Sequence, residues 1–366
     1  MKRIESIDAF RGFDMMWIMG FSYIIVAICN LFPEGGNSFI VRQMEHVAWN
    51  GLSFMDLIFP TFLFIAGMSF PFSFAKQQEK GLSRGKIHLR ILRRAFLLVL
   101  LGLVYNGLLL NYNLSELRWC SVLGRIGLAW MFAAFIFVNC SKKSTRAAIC
   151  FLLLLGYYVI MRFCPVPGAP QGADPFSMEW NIAGYIDSLI VPGKMYYGNF
   201  DPEGLLGLIP ATATAMLGMF AGEFIKDSKL PGGKKSLYML AAAAALLALG
   251  LLWSLLFPIN KKLWSSSFVC VVAAYSLACF TLFYYIIDVK GHKKWAFPFK
   301  VIGMNSITIY MIGCFVNFDF TSRALLGGLC SLAGEHFAPL ILEIGSFLLS
   351  WLLLYFLYKK KIFLKV

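Results

Sequence analysis

His46-Val47-Ala48-Trp49-Asn50-Gly51-Leu52-Ser53-Phe54-Met55-Asp56-Leu57-Ile58-Phe59-Pro60 runs from polar into apolar sequence, and the chain then stays apolar to about residue 75. A helix that crosses a bilayer needs about 20 mostly apolar residues. The stretch therefore reads as the entry to a membrane span at 53–75, with an imidazole at its lip and a carboxylate inside it. Ionisable groups within lipid are costly and mark function by default. If the entry is helical, His46, Trp49 and Asn50 stand at i, i+3 and i+4 and share one face. An imidazole exchanges protons near neutral pH, so His46 suits general base chemistry. An interfacial histidine beside an aromatic belt is the competing reading.

The rest of the chain agrees with a membrane setting. It is 59% hydrophobic and only 14% charged, against about a quarter charged in soluble domains. Ten spans are expected, at 11–31, 53–75, 94–111, 120–139, 146–163, 204–225, 236–257, 264–288, 299–317 and 338–358. The expected fold class is all-α: a polytopic helix bundle forming one transmembrane domain over 1–366. Met1-Lys2-Arg3 leads into a span too long for a signal peptide, so no cleavable leader is expected.

The net charge of +14 does not point to nucleic acid, because the basic residues sort by loop. With the N-terminus inside, 25 of the 33 lie in inside segments and seven outside, which argues for two cytoplasmic termini. His46 and the long segment 164–203 then face outward. That segment combines Pro165, Pro167 and Pro170 with Trp180, Asp187, Asp201 and Glu203, a composition suited to a lid over a polar substrate. An ordered outer loop without a ligand is the alternative.

Charged residues in or near the spans are Asp8, Arg11, Asp14, Asp56, Arg125, Glu223 and Glu343. They should face the bundle interior and pair. Asp8 and Arg11, at i and i+3, form either a structural ion pair or a site where Arg11 meets a phosphate. Arg125 needs an anionic partner, with Asp56 and Asp14 as candidates. The nine cysteines show no metal-ligand spacing; Cys120, Cys164 and Cys330 fall near the outer face, where pairing is open. No P-loop, G-x-S-x-G elbow or H-E-x-x-H motif occurs, and Gly35-Gly36 and Gly232-Gly233 read as loop turns.

Several motifs together resemble one family. Arg3-x-x-Ser6-x-Asp8-x-x-Arg11-Gly12 opens the first span. The run from His46-x-x-Trp49-Asn50-Gly51-Leu52 through Asp56-Leu57-x-Phe59-Pro60 to Gly67-x-Ser69 is the longest signature. Leu123-x-Arg125-x-Gly127, Asp201-Pro202-Glu203-Gly204-Leu205-Leu206-Gly207 and Leu217-Gly218-Met219-x-Ala221-Gly222 follow, then Gly303-Met304-Asn305-Ser306 and Lys360-Lys361-Ile362-Phe363. In order and spacing the set resembles the heparan-α-glucosaminide N-acetyltransferase family. Two departures stand out: lysosomal members carry extra N-terminal sequence, and the compared member has a histidine near Gly313-Cys314.

The resemblance implies transfer of an acetyl group from cytoplasmic acetyl-CoA to a glucosamine-type amine on the outer face. It implies His46 as the active-site histidine; Asn50, to orient the imidazole or donate to the oxyanion, and Asp56, to fix the imidazole tautomer or pair with Arg125, join it in the expected catalytic set. Arg11, Arg125, Asn305 and Ser306 are expected on the donor side, and Trp49, Asp201 and Glu203 on the acceptor side. No metal is expected. The partners are an amino sugar or oligosaccharide and membrane lipid, with a homodimer open and no nucleic acid. The expected location is a bacterial inner membrane. Direct transfer and an acetyl-histidine intermediate both remain open, as do an envelope O-acyltransferase and an amino-sugar transporter.

Overall fold

A computed structural model describes residues 4–110 and 113–364. Lys2, Arg3, Lys365 and the end of the expected 94–111 span lie outside the described residues. Among those residues there are helices and no strands, apart from one isolated bridge between Arg118 and Gly193. In chain order the α-helices are α1 (Glu5–Met16), α2 (Ser22–Cys29), α3 (Phe39–Gln43), α4 (Phe54–Glu79), α5 (Arg84–Tyr105), α6 (Val122–Asn139), α7 (Lys143–Phe163) and α8 (Ile182–Ile190). They continue with α9 (Leu208–Asp227), α10 (Gly232–Trp253), α11 (Ser266–Tyr284), α12 (Phe297–Met304), α13 (Ser306–Ile312), α14 (Phe318–Ala333) and α15 (Ala338–Lys359).

Eight helical stretches among the described residues are long and apolar enough to cross a membrane, and they coincide with eight of the ten expected spans. The other two differ for physical reasons. In α5 the first half carries Arg84, Lys86, Arg90, Arg93 and Arg94, so only its later turns are continuously apolar. The expected span 299–317 is broken at Asn305, whose φ of −128° and ψ of 29° separate α12 from α13. Two further corrections follow. Residues 318–333, expected as outer loop, form α14, and Gly232-Gly233, expected as a loop turn, open α10.

The chain divides into two compact units. One comprises the chain up to Val47, Leu52–Ile58 and the chain from Cys279 onward. Here α1 lies backbone to backbone against α12. A Cβ on Gly12 would sit 1.7 Å from Phe299 O, and one on Gly303 would sit 1.9 Å from Asp8 O. Only glycine permits this approach, which explains glycines in both the first and the last motif. Asp288 caps α1 by accepting from the backbone N–H groups of Glu5 and Ser6 at 3.3 and 3.1 Å. Beyond α1, a π-helical turn over Trp17–Phe21 places Gly20 at φ 114°, a conformation that disfavours a side chain.

The other unit comprises Ala48–Gly51 and Phe59–Ala278. Its centre is the contact of α4 with α9. Cβ atoms on Gly67, Gly218 and Gly222 would fall 2.1, 2.0 and 2.1 Å from the carbonyl oxygens of Ala215, Phe64 and Met68. Without a hydrophobic drive between helices in lipid, such small-residue seams supply the packing. Arg146 in α7 and Glu223 in α9 are both buried and paired at 2.9 Å, as charges within an apolar bundle must be.

Candidate active site

The His46 imidazole is held from below. Its Nδ1 lies 2.8 Å from Asp56 Oδ1; the carboxylate is 1% exposed and the imidazole side chain 56%. The other carboxylate oxygen accepts from Ser53 N–H at 3.1 Å and Val47 N–H at 3.3 Å. Ser53 Oγ adds a contact at 2.9 Å and lies 2.5 Å from Glu45 O. Ser53 precedes α4 and Asp56 sits in its first turn, so the two form a capping pair with the carboxylate reaching back to the Ser53 N–H. The carboxylate expected inside the apolar span is there, buried in the first turn of the Phe54–Glu79 helix. Asp56 is a helix-start carboxylate, stabilised by N–H donors and the positive end of the helix.

This arrangement fixes the imidazole. Opposite a carboxylate Nδ1 carries the proton, which leaves the basic lone pair on Nε2. Asp56 thus sets the tautomer, one of the two roles left open by the sequence.

The chain from His46 to Gly51 is not helical, and Gly51 adopts φ 118°. The expectation that His46, Trp49 and Asn50 share a helical face is therefore wrong. Trp49 and Asn50 belong to the second unit and are held within it. Trp49 Nε1 donates to Phe176 O at 2.8 Å and its ring packs edge-on to Phe200. Asn50 Oδ1 accepts from Asn260 Nδ2 at 3.0 Å, and Gly51 N donates to Ile259 O at 2.9 Å. Fully buried Asn260 also accepts from Leu263 N at 2.8 Å, so a single amide orders both loops. Sequence reasoning missed Asn260; the polar run from Asn260 to Ser267 between apolar stretches is the signal that marks it.

The long loop is ordered by a second unpredicted residue. Arg118 donates to Asp201 at 2.7 and 2.8 Å, pairs with Glu203 and lies over the Tyr196 ring. Burial pulls the guanidinium pKa down, but the two carboxylates outweigh it and hold it above its ordinary value. Asp201 also accepts from the N–H groups of Tyr196 and Glu203. The acceptor role expected for Asp201 and Glu203 meets side chains already engaged in holding the loop.

Arg125 is 3% exposed, and its Nη2 donates to Gly204 O at 3.0 Å while the guanidinium faces the Trp264 ring. Its Nε and Nη1 are buried without a hydrogen-bond partner. On the same turn Asp187 Oδ1 accepts from Leu205 N at 2.8 Å. Burial pushes the Asp187 carboxyl up to about 6, against the Leu205 bond and the Arg125 charge, which lower it. A Cβ on Gly204 would collide with Asp187, and one on Gly207 with Arg125. The Gly204-Leu205-Leu206-Gly207 motif is thus a turn kept bare of side chains between an acid and a base.

Arg11 pairs with Asp8 at 3.6 Å. Asn305 Nδ2 donates to Ile362 O at 3.2 Å, tying the helix break to the closing motif, and Ser306 is buried beside it. Gly313 and Cys314 line a cavity of about 530 Å³ with Asn317, Asp319 and Glu343. Cys120, Cys164 and Cys330 carry free thiols. No group of three or more potential metal ligands occurs among the described residues.

The family model described as heparan-alpha-glucosaminide N-acetyltransferase, catalytic, matches residues 3–259. The chain belongs to this family. Two proteins named heparan-alpha-glucosaminide N-acetyltransferase, from Mus musculus and Homo sapiens, are each 29% identical to it over its whole length. The chain spans 60% of the length of either relative. The matched region holds the His46–Asp56 pair, Arg118, Arg125 and the Asp187 turn. With eight helical stretches among the described residues long and apolar enough to cross a membrane, this family member is an integral membrane protein.

Proposed function

We propose that the protein transfers an acetyl group from acetyl-CoA to the amine of a glucosamine-type sugar, with His46 as the proton-transfer group. The observation that carries this reading is the 2.8 Å contact between His46 Nδ1 and buried Asp56. An exposed imidazole aligned by a carboxylate is equipped to take a proton at Nε2 and return it.

The amine nitrogen attacks the thioester carbonyl carbon, the C–S bond breaks, and CoA leaves as the thiolate. His46 Nε2 accepts the proton that the amine nitrogen sheds as the C–N bond forms and delivers it to that sulfur. In the two-step variant the imidazole is acetylated first and the sugar amine then displaces it. Asp56 stabilises the imidazolium in either route. Asn50 is the proposed oxyanion donor through its amide N–H, since its Oδ1 is engaged by Asn260.

Acetyl-CoA is a polyanion with a slender arm. Exposed Arg84, Lys86, Arg90 and Arg93 suit its nucleotide, and Arg11, Asn305 and Ser306 complete the proposed donor side. Arg125, with two unbonded donors, suits an anionic or carbonyl group of either substrate. Trp49, Asp201 and Glu203, within or tied to the 164–203 loop, form the proposed acceptor side.

The whole chain acts as one acetyltransferase domain in a bacterial inner membrane, with both termini cytoplasmic. The purified protein is tested with acetyl-CoA and glucosamine, galactosamine or N-acetylglucosamine. Turnover with the free amines alone is expected; equal turnover with N-acetylglucosamine contradicts N-acetylation. Labelled acetyl retained on the enzyme without acceptor, and lost in His46→Ala, selects the two-step route.

A further inference from the structure

Within the second unit, α4, α9, α10 and α11 leave a cleft of about 330 Å³. Phe64, Leu217, Phe224, Met239 and Leu277 line it, together with the small side chains of Ala221 on α9 and Ala242 on α10. Apart from Tyr238, every lining side chain is hydrocarbon or thioether. The cleft has a direction. On α10, Leu246, Ala242, Met239 and Tyr238 follow one another at helical spacing, and the same stripe continues to Lys235 and Lys234 in the first turn. From Lys235 to Leu246 the helix rises about 16 Å, close to one leaflet, half of a hydrocarbon core about 30 Å thick.

The polar end is basic. Lys226 and Lys143 are engaged with Asp227 at 2.9 and 3.3 Å, and Lys235 Nζ donates to Ile225 O at 2.7 Å. Lys229 and Lys234 are exposed. The chain Pro231-Gly232-Gly233-Lys234 places these charges at the positive end of α10, where first-turn N–H groups lack intrahelical partners. A ligand that fits has an anionic head and an unbranched apolar tail of one-leaflet length. The pantetheine arm of a coenzyme fits less well, because its amides would meet a lining without matching partners.

We propose that this cleft binds one acyl chain of an anionic phospholipid, with the headgroup phosphate on Lys229 and Lys234 at the start of α10. The site is distinct from the acetyl-transfer residues and does not depend on their role.

The test uses the full-length protein in detergent, with phosphatidylglycerol and phosphatidylcholine of identical acyl chains, read by native mass spectrometry. Wild type should retain phosphatidylglycerol in preference. The double variant Lys229→Gln/Lys234→Gln should weaken that preference by roughly fivefold per lysine, and Ala242→Phe, which fills the cleft, should abolish retention. In case Ala242→Phe fails to fold, phosphatidylglycerol with a photoreactive acyl chain is crosslinked to the wild type. Adducts should map to Phe224, Met239 or Leu246. Equal retention of both lipids, or adducts confined elsewhere, overturns the proposal. So does displacement of the lipid by coenzyme A, which assigns the cleft to the pantetheine arm.

Discussion

Buried Asp56 meets exposed His46 at 2.8 Å, so one side chain both starts a membrane helix and orients an imidazole. The two duties use different oxygens. Oδ1 faces the ring, and Oδ2 gathers the backbone donors of Ser53 and Val47.

The two duties separate by substitution. Asp56→Asn keeps an acceptor for one of these contacts but loses the charge that balances an imidazolium. Acetyl transfer should fall by on the order of 10²–10⁴, with little change in KM. Asp56→Ala should in addition lower stability by about 0.5–2 kcal/mol through loss of the cap. Steady-state kinetics and thermal melting of the two variants check this together.

Most spans were legible because apolar runs of bilayer length leave little freedom in their reading. The break at Asn305 was not, since a single residue with non-helical backbone angles leaves hydropathy unchanged. Asp56 was legible as a carboxylate within the span, but its part in starting the helix was not read, although Ser53-x-x-Asp56 is a helix-start pattern visible in the sequence. Arg118 and Asn260 stayed hidden for another reason. Their partners lie 83 residues away at Asp201 and 210 residues away at Asn50, and no local pattern joins such pairs.

Arg118 holds the loop through Asp201 and Glu203, so Arg118→Gln leaves two carboxylates short of their cation. A loss of roughly 3–5 kcal/mol is expected where such a pair is buried, less here because Arg118 keeps partial exposure. Limited proteolysis should cut within 164–203 in the variant well before wild type.

Glycine packing gives a graded test. A Cβ on Gly218 meets Phe64 O at 2.0 Å, whereas a Cβ on Gly233 meets nothing within 4 Å. Gly218→Ala should destabilise by about 1–3 kcal/mol. Gly233→Ala, at an open helical position, should be neutral or stabilise by up to about 1 kcal/mol. Thermal melting in one detergent compares them directly.

Asp187 predicts a pH dependence whose sign follows from its raised carboxyl. Below about pH 3 the group is neutral in folded and unfolded chains and costs nothing. As pH rises through about 6, ionisation in the folded protein becomes complete, and its burial then opposes folding by about 3 kcal/mol. Asp187→Asn keeps an acceptor for Leu205 N–H and removes that cost. The variant should match wild type near about pH 3 and melt higher above about pH 7. A constant difference across this range would remove Asp187 from the titration.

The most direct measurement is the acetyl-transfer rate of purified His46→Ala beside wild type, with acetyl-CoA and glucosamine and with melting curves on the same samples. A rate lower by at least about 10² with the fold retained is the expected result. A rate within about threefold of wild type would contradict the assignment of His46 as the proton-transfer residue.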